Sequence, residues 1–571
     1  MKNIYSSILT VALGVAAFSA SAQDLDPTVV VDRAYEGKLM EVHKPLLEMA
    51  VPDTVMRFDL DFDYSVFERP YKGSYEFNPY LLSMKPAASG DPSGKFYLRA
   101  GAGYQLRPEL DVVWSPNVGT EKFRMDVYAS HRSYIGNYRN PVKPADVLWK
   151  GYDMDSKAGV VLGCDWNTGS MGIDVGYYGL HQRDRRWDRG YNGLDASFGI
   201  GSKDMWARGF VYDFRADYRL ASDVTKMNVN SNDVRRFGEN VLDVSLKAGA
   251  GLKENSWFRV DAGLALAAYS GDFKEAAADV YITPRYLYRK GIFSADLGVK
   301  VSKLIGKMLD EPPMDASGSV FMFDAKEQIV YPDVEVRLNL FPKFLAFFVK
   351  ADGGNRIESN ASLLEKNHFT NVSVWHDMGV SVERVAAKAG FDGSIGSRFS
   401  YALYGGYTNY ASGVLDAVCL LDGCSDGIGS APCLKYMPYQ KLYASLEWLW
   451  KGESFAADGN VTYTDAFGAA FDPWTLCLAP AAFTGDVSFE YNYKRRVFVG
   501  LDCEFSSARK DVDKAYLIPG YADLGLSLEY MTARNISFWL KGGNLLGMAI
   551  QKNPFYAVKG PYFTLGICLN L

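Results

Sequence analysis

The stretch from Leu242 to Ala268 alternates between apolar and polar or small residues with a strict period of two. Its first half ends at Leu252, a polar turn covers 253–256, and its second half begins at Phe258. Such a period gives each face of a β-strand one kind of side chain. Strands of soluble sheets usually have about five or six residues, whereas a tilted strand that crosses a bilayer needs roughly 9 to 11. Both halves therefore predict membrane-spanning strands.

The same alternation recurs from Lys95 onward in about 22 strand-like segments, whose connections alternate between short and long. The short connections are 166–170, 201–204, 253–256, 288–291, 341–344, 451–454, 493–496 and 532–535, and the long ones are 132–156, 220–239, 304–328, 353–377, 411–436 and 465–482. Barrels of the bacterial outer membrane have short periplasmic turns, long extracellular loops and an even number of strands. We therefore predict an all-β, transmembrane antiparallel β-barrel of about 22 strands over 95–571, in the outer membrane of a Gram-negative cell.

Charged residues keep to one face of the predicted strands. In 293–302, Leu297 and Val299 belong to the face that would contact lipid, while Asp296 and Lys300 belong to the face that would line the interior. The segments 333–340 and 497–505 follow the same rule. A charge on the lipid face at mid-bilayer costs about 2 to 4 kcal/mol, so this segregation is what a barrel requires.

Six of the eleven tryptophans lie within a few residues of a short connection. They are Trp114, Trp166, Trp206, Trp257, Trp448 and Trp450. Amphipathic rings favour the interface between lipid and water, so these residues are predicted to form one of the two aromatic girdles of the barrel. Packing at strand ends is the alternative, but it has no reason to select one edge.

The N-terminal part of the chain has a different character. Lys2, an apolar run over 8–18 and small residues up to Ala22 predict a secretory signal peptide at 1–22. The following 23–94 is punctuated by proline and is predicted to be an extended periplasmic segment. A 22-stranded lumen is wide enough to leak unless something fills it, and this segment is the candidate filler.

Charge and cysteine content restrict the partners. The chain has a formal net charge of -6, which does not favour nucleic-acid binding. Cys419, Cys424, Cys433 and Cys477 fall in two neighbouring predicted loops, and an exported protein allows them to form disulfides in any of three pairings. Free thiols are the alternative. The cluster Arg183, Arg185, Arg186 and Arg189 is expected to be a solvated loop, with contact to anionic surface sugars as the functional alternative.

No motif predicts an enzyme, a metal site or a cofactor. Gly423-Cys424-Ser425-Asp426-Gly427 fits the nucleophile-elbow pattern, but it lacks the strand before it and the helix after it. The five histidines are too scattered for a ligand pair at helical spacing, and His368 and His376 are expected to have a surface role.

The last hairpin resembles a known family. The segment 536–547, which contains Gly542-Gly543-Asn544-Leu545-Leu546, is similar to the penultimate strand and Asn-Leu-Phe turn of TonB-dependent receptors, and 560–566 resembles their closing strand. The first barrel hairpin, from Phe96, is similar to the opening of a shorter, plug-less group of such barrels found in Bacteroidetes. The resemblance implies a 22-stranded barrel. Only about seventy residues precede that barrel after the cleavage site, roughly half of what a folded plug needs.

Asp26, Thr28, Val29, Val30 and Val31 resemble a TonB box, the segment that pairs with the energising protein by strand addition. An exposed β-prone terminus is the alternative reading. We therefore expect the chain to pass a solute or polymer across the outer membrane, with lipid and TonB or another periplasmic protein as partners. The alternative is a structural or assembly barrel that holds a periplasmic or surface-exposed partner and whose lumen is blocked by 23–94.

Overall fold

A computed structural model describes residues 95–104, 106–116, 122–140, 147–183, 187–207, 209–227, 234–272, 274–307, 328–369, 379–419, 431–468, 475–510, 517–533, 535–553 and 556–571. Within these residues the chain is all-β apart from one short helix. No helix of this part of the chain is both long and apolar enough to cross a membrane.

The strands follow one another along the chain in antiparallel hairpins. They are β1 Phe96–Tyr104, β2 Glu109–Trp114, β3 Phe123–Asn140, β4 Val147–Asp165, β5 Gly169–Arg183, β6 Trp187–Ser202, β7 Phe210–Met227, β8 Val234–Lys253, β9 Ser256–Gly271, β10 Ala276–Lys290, β11 Phe293–Lys307, β12 Val330–Phe341, β13 Leu345–Glu358, β14 Gly379–Ile395, β15 Phe399–Cys419, β16 Ala431–Lys451, β17 Phe455–Phe467, β18 Thr475–Cys477, β19 Phe483–Tyr493, β20 Val497–Ser506, β21 Arg509–Lys510, β22 Leu517–Ile518, β23 Tyr521–Ala533, β24 Ile536–Gly543, β25 Ala549–Asn553, β26 Tyr556–Lys559 and β27 Tyr562–Asn570. The helix, α1, is Asn360–Lys366.

The sheet closes on itself where the last strand meets the first. β27 pairs antiparallel with β1 from Tyr97↔Asn570 to Tyr104↔Phe563. Twenty-two strands form the closed wall, and β18, β21, β22, β25 and β26 are short additions in its long loops. Closure leaves the wall without an unpaired first or last strand edge, as the hydrocarbon of a membrane demands. The predicted 22-stranded barrel is confirmed.

At this seam, the ring of Trp539 of β24 packs against Gly101 of β1 and Gly566 of β27. A Cβ at either glycine would collide with the indole ring. The Arg99 guanidinium stacks over the same ring, 4.3 Å from its centroid. The two glycines thus make room for an aromatic side chain that braces three strands from inside.

The two faces of the wall differ as the alternation predicts. On β11, Leu297 and Val299 are 45% and 49% exposed on the outer face. Ser302, on the opposite parity, is buried and donates a hydrogen bond of 2.6 Å to Asp279 of β10. The Asp296 carboxylate, also of that parity, contacts the Arg285 guanidinium at 3.2 Å. Apolar side chains therefore form an outer belt, and charges pair inside it.

Several predicted long loops prove to be strands in part. The expected loop 132–156 contains the upper ends of β3 and β4, and 220–239 contains those of β7 and β8. The hairpins continue beyond the length that crosses a bilayer because backbone pairing persists above it. The side chains at these strand ends are polar, and for that reason they were predicted to belong to loops.

Above the bilayer the wall closes in a second way. β1 and β2 are short, and the β25–β26 hairpin reaches past them to pair with β3 through Ala557↔Arg139 and Val558↔Tyr138. This pairing covers the strand edge of β3 that the short β1–β2 hairpin leaves open. The wall therefore continues past the β1–β2 hairpin through this pairing.

Candidate functional site at the mouth of the barrel

A segment between β13 and β14 folds inward at the extracellular end of the barrel. We call residues 359–369 the strap; it begins with Ser359 and contains α1. The Ser359 hydroxyl accepts a hydrogen bond from the Ser362 N–H at 3.2 Å and thereby caps the helix. Seven residues make too short a helix to be stable alone, so packing must hold α1 in place.

Apolar contacts with the inner wall hold α1. Leu363 packs in a cluster with Phe237 of β8 and Tyr269 of β9. Leu364 packs in a second cluster with Leu180 of β5, and both leucines are fully buried. Burying a leucine side chain contributes about 1.5 to 3 kcal/mol, so these two residues dominate the apolar part of strap docking.

A buried ion pair lies under the start of the helix. The Arg189 Nε of β6 donates to Asp223 Oδ2 of β7 at 2.8 Å, and each side chain is 1% exposed. The Asn360 side chain completes the site: its Oδ1 accepts from Arg189 Nη2 at 3.1 Å, and its Nδ2 donates to Asp223 Oδ2 at 3.2 Å. One amide therefore serves both ions.

Glu239 of β8 forms the second polar anchor. Its carboxylate accepts hydrogen bonds from the hydroxyls of Tyr191 and Tyr269, at 2.9 and 3.0 Å. The backbone N–H of Ala361 donates to the same carboxylate at 3.2 Å. Three donors replace the water that this fully buried carboxylate has lost.

The far end of the strap contacts β3 and β4. His368 Nδ1 lies 3.0 Å from Asp153 Oδ2, and Phe369 packs edge-on against Tyr138 with ring centroids 5.7 Å apart. Burial alone would lower the pKa of His368, but the charge of Asp153 and its hydrogen bond more than offset this and raise the pKa above 6.5.

These contacts show how far the strap extends. The strap leaves the wall at the end of β13, and its far end contacts β3 and β4. Along the closed wall, the eight strands β5 to β12 separate β13 from β4. In a wall of 22 strands that is nearly the opposite side. The strap therefore crosses the mouth of the barrel.

Below the strap, one side of the inner wall carries paired charges. The Arg285 guanidinium of β10 contacts three carboxylates, those of Asp261, Asp296 and Asp333. Arg259 of β9 contacts Asp261 at 2.8 Å and Asp296 at 3.5 Å. Cations and anions alternate across β9 to β12, so this side has little net charge.

The other side is acidic. The strands β17, β19, β20 and β23 contain no lysine or arginine, although their inward positions carry seven carboxylates. These are Asp458, Asp486, Glu490, Asp502, Glu504, Asp523 and Glu529. Asp486, Glu504 and Asp523 are direct cross-strand neighbours, an arrangement of like charges that costs stability. We call these seven residues the acidic arc; it faces the lumen, and its central member Glu504 contacts the Lys552 ammonium of β25 at 2.6 Å.

The residues predicted as sites fall in three places, one of which is the strands β15, β16 and β18, where Cys419, Cys433 and Cys477 lie rather than in the predicted loops. The TonB-box-like residues Asp26, Thr28, Val29, Val30 and Val31, the predicted signal peptide and the rest of 23–94 lie outside the described residues, as does Cys424. The six tryptophans lie at the edge that carries the short turns, where Trp206 and Trp257 pack edge-on at 5.1 Å. The girdle itself stays a prediction.

One expectation about a single residue was wrong. Arg189 is a buried member of an ion pair rather than part of a solvated basic loop. His368, which was expected to have a surface role, has a side chain that is 30% exposed and contacts Asp153. The partners of both residues lie far away in sequence and come close only through folding.

Sequence interpretation also missed the strap. Its signals were local: a capping serine at 359, the apolar pair Leu363-Leu364, and Lys366 in the last turn. Within the described residues, no group of three or more His, Cys, Asp or Glu side chains is arranged to hold a metal ion.

Comparison with known proteins identifies the fold. No protein-family model and no curated protein matches the chain. The solved structure of the copper transporter OprC matches 83% of this chain and 80% of its own, with a TM-score of 0.58 and 10% identity. The FrpB iron transporter from Neisseria meningitidis matches 83% and 80%, with a TM-score of 0.59 and 8% identity. The siderophore receptor PirA from Acinetobacter baumannii matches 83% and 80%, with a TM-score of 0.57 and 10% identity. The chain shares the barrel fold of these transporters and receptors.

Proposed function

We propose that the protein passes a polar solute across the outer membrane, and that the strap controls entry from the extracellular side. The observation that carries the proposal is a polar, charge-lined lumen whose mouth is crossed by an anchored segment. A purely structural barrel has no need for an acidic arc that lowers its own stability, whereas a solute path uses such a potential.

The barrel type supports this proposal. The chain has the fold of proteins named as a copper transporter, an iron transporter and a siderophore receptor, and its last hairpin resembles TonB-dependent receptors. What those proteins carry does not identify the solute of this one. The acidic arc favours a solute that is neutral or positively charged.

The N-terminal segment supplies the second part of the proposal. Residues 23–94 are too few for a folded plug, so we propose a plug-less barrel in which this segment occupies the lumen until it is displaced. Asp26 to Val31 would then be the site at which TonB, or another periplasmic protein, pulls on it by strand addition.

Conductance in planar bilayers tests the proposal. The mature chain should conduct weakly, and a variant lacking 23–94 should conduct steadily with a preference for cations. Replacing Asp486, Glu504 and Asp523 by Asn, Gln and Asn should reduce that preference. A barrel that stays silent after both the N-terminal segment and strap docking are removed would contradict a transport function.

The alternative is a barrel that scaffolds a periplasmic or surface-exposed partner. This alternative rests on the same N-terminal segment, which would then block the lumen permanently. Purification under mild conditions would then return a second protein in stoichiometric amount. Deleting 23–94 would release that partner without creating solute uptake in liposomes, an outcome distinct from the one that transport predicts.

A further inference from the structure

The short-turn end of the barrel carries a ring of exposed cations. It comprises Lys122, Lys203, Lys253, Lys290, Lys343, Arg398, Lys451, Lys494, Arg495 and Arg496. We call these ten residues the basic rim. The same turns contain three carboxylates among the described residues, those of Asp204, Glu254 and Glu453. A chain whose net charge is -6 therefore concentrates positive charge at one end.

The cations are spread around the whole circumference. They occupy eight of the ten short turns, from the β2–β3 turn to the β19–β20 turn. A protein that docks on a barrel covers an arc of its edge, and charges selected for that partner would cluster there. A ring of charge fits a partner that surrounds the barrel.

Backbone geometry shows that some of these cations occupy positions that do not suit them. Lys494 and Arg495 form the tip of a tight hairpin with φ values of 54° and 57°, and Lys343 has a φ of 69°. Hairpin tips of this kind favour asparagine and glycine because side chains crowd the backbone at positive φ. Of the five described non-glycine residues with positive φ, three are rim cations. Local backbone stability therefore does not explain why cations occupy these turn positions. A role for their positive charge does.

The rim directly adjoins the apolar outer belt. Lys343 lies between Phe341 and Phe344, which are 62% and 55% exposed. Lys451 follows Trp450, which is 42% exposed on the outer face. The Lys494 ammonium lies over the Tyr493 ring at 5.1 Å from its centroid. In a membrane these aromatic rings lie at headgroup depth, which places the neighbouring cations level with lipid phosphates.

We infer that the basic rim binds the headgroups of anionic phospholipids in the periplasmic leaflet. Charge complementarity, the circumferential spread and continuity with the apolar belt together point to lipid. Each cation near an anionic lipid surface contributes independently, so binding should weaken in steps as cations are removed. The inference does not depend on which solute passes through the lumen.

Thermal unfolding of the full chain in neutral detergent provides the test. Phosphatidylglycerol, phosphatidylethanolamine or inorganic phosphate is added, and Tm is measured in each case. The test variant combines Lys343→Asn, Lys494→Asn and Arg495→Gly, which removes three rim cations and suits the backbone at each position. A matched control replaces three exposed cations at the opposite end, Lys226, Lys274 and Lys510, by asparagine.

Phosphatidylglycerol should raise the Tm of the unaltered chain more than phosphatidylethanolamine does, and inorganic phosphate should have little effect. The test variant should lose about a third of the phosphatidylglycerol-specific shift, because three of the ten cations are gone, while its Tm without lipid stays equal or rises. The control should keep the full shift. A full shift in the test variant, an equal loss in the control, or an equal rise with inorganic phosphate would each overturn the inference.

Discussion

Arg189 and Asp223 form an ion pair on neighbouring strands, and each side chain is 1% exposed. Both residues hydrogen bond to one side chain of the strap, that of Asn360. The charges lose their water when the strap docks, and Asn360 supplies part of the replacement. The ion pair therefore links the barrel wall to the docked strap.

Replacing Arg189 by leucine should be strongly destabilising. The change leaves the Asp223 carboxylate buried without its cation, a defect that typically costs 3 to 5 kcal/mol. The strap can relieve it by undocking and admitting water. Urea unfolding in lipid vesicles would measure the loss of stability, and trypsin cleavage after Lys366 would report undocking.

The double variant Arg189→Leu with Asp223→Leu serves as the control. Because it removes both charges, it should recover much of the stability that the single change loses. If the single and double variants were equally unstable, packing rather than charge burial would account for the role of Arg189.

The apolar anchors give a second prediction. Replacing Leu363 and Leu364 by alanine should weaken strap docking, because buried leucine-to-alanine changes cost about 2 to 5 kcal/mol each. In a chain lacking 23–94, this double variant should have a higher single-channel conductance than the parent. Leu340→Ala, which alters a 45% exposed leucine of the outer belt, is the matched control and should leave conductance unchanged. Unchanged conductance in the strap variant would show that the strap does not limit the pore.

The His368–Asp153 contact predicts a dependence on pH. The pKa of His368 is raised in the folded protein, so its contribution to docking is fully present below about pH 6.5 and is lost as pH rises through the raised value. Trypsin cleavage after Lys366 should therefore accelerate, relative to His368→Gln, as pH rises above about 6.5 through the raised pKa. The variant supplies the correction for trypsin's own pH dependence. Parallel profiles for the two proteins would mean that this contact does not hold the strap.

Backbone pairing narrows the predicted disulfides. Cys433 of β16 and Cys477 of β18 both lie opposite Ala417 of β15, one on each side. Two strand spacings place their Cα atoms roughly 9 to 10 Å apart, beyond the reach of a disulfide. Mass spectrometry of unreduced peptides should therefore not return a Cys433–Cys477 link. Finding that link would show that β18 is paired differently.

The sequence predicted the barrel wall well because alternation is a local property. The alternation of about five neighbouring residues is enough to assign Leu297 to the outer face and Asp296 to the inner face. The strap and its anchors depend on contacts between distant strands: Asn360 meets Arg189 across 171 positions, and His368 meets Asp153 across 215. The period of the sequence does not predict contacts between residues so far apart, and Arg189 was therefore assigned to a solvated loop. The acidic arc lay between these cases: Asp502 and Glu504 were predicted to face inward from the alternation in 497–505, but the absence of cations from four consecutive wall strands emerged only from their pairing.

Spin labels on β11 test the central claim, which is that alternate side chains face lipid and water around a closed wall. Labels would be placed at Leu297 and Val299 on one face and at Ser294 and Lys300 on the other, in lipid vesicles, with the parent chain's signal subtracted. The first pair should be relaxed mainly by oxygen dissolved in lipid, and the second pair mainly by a water-soluble nickel complex. Equal access of the nickel complex to both faces would contradict the membrane-embedded barrel.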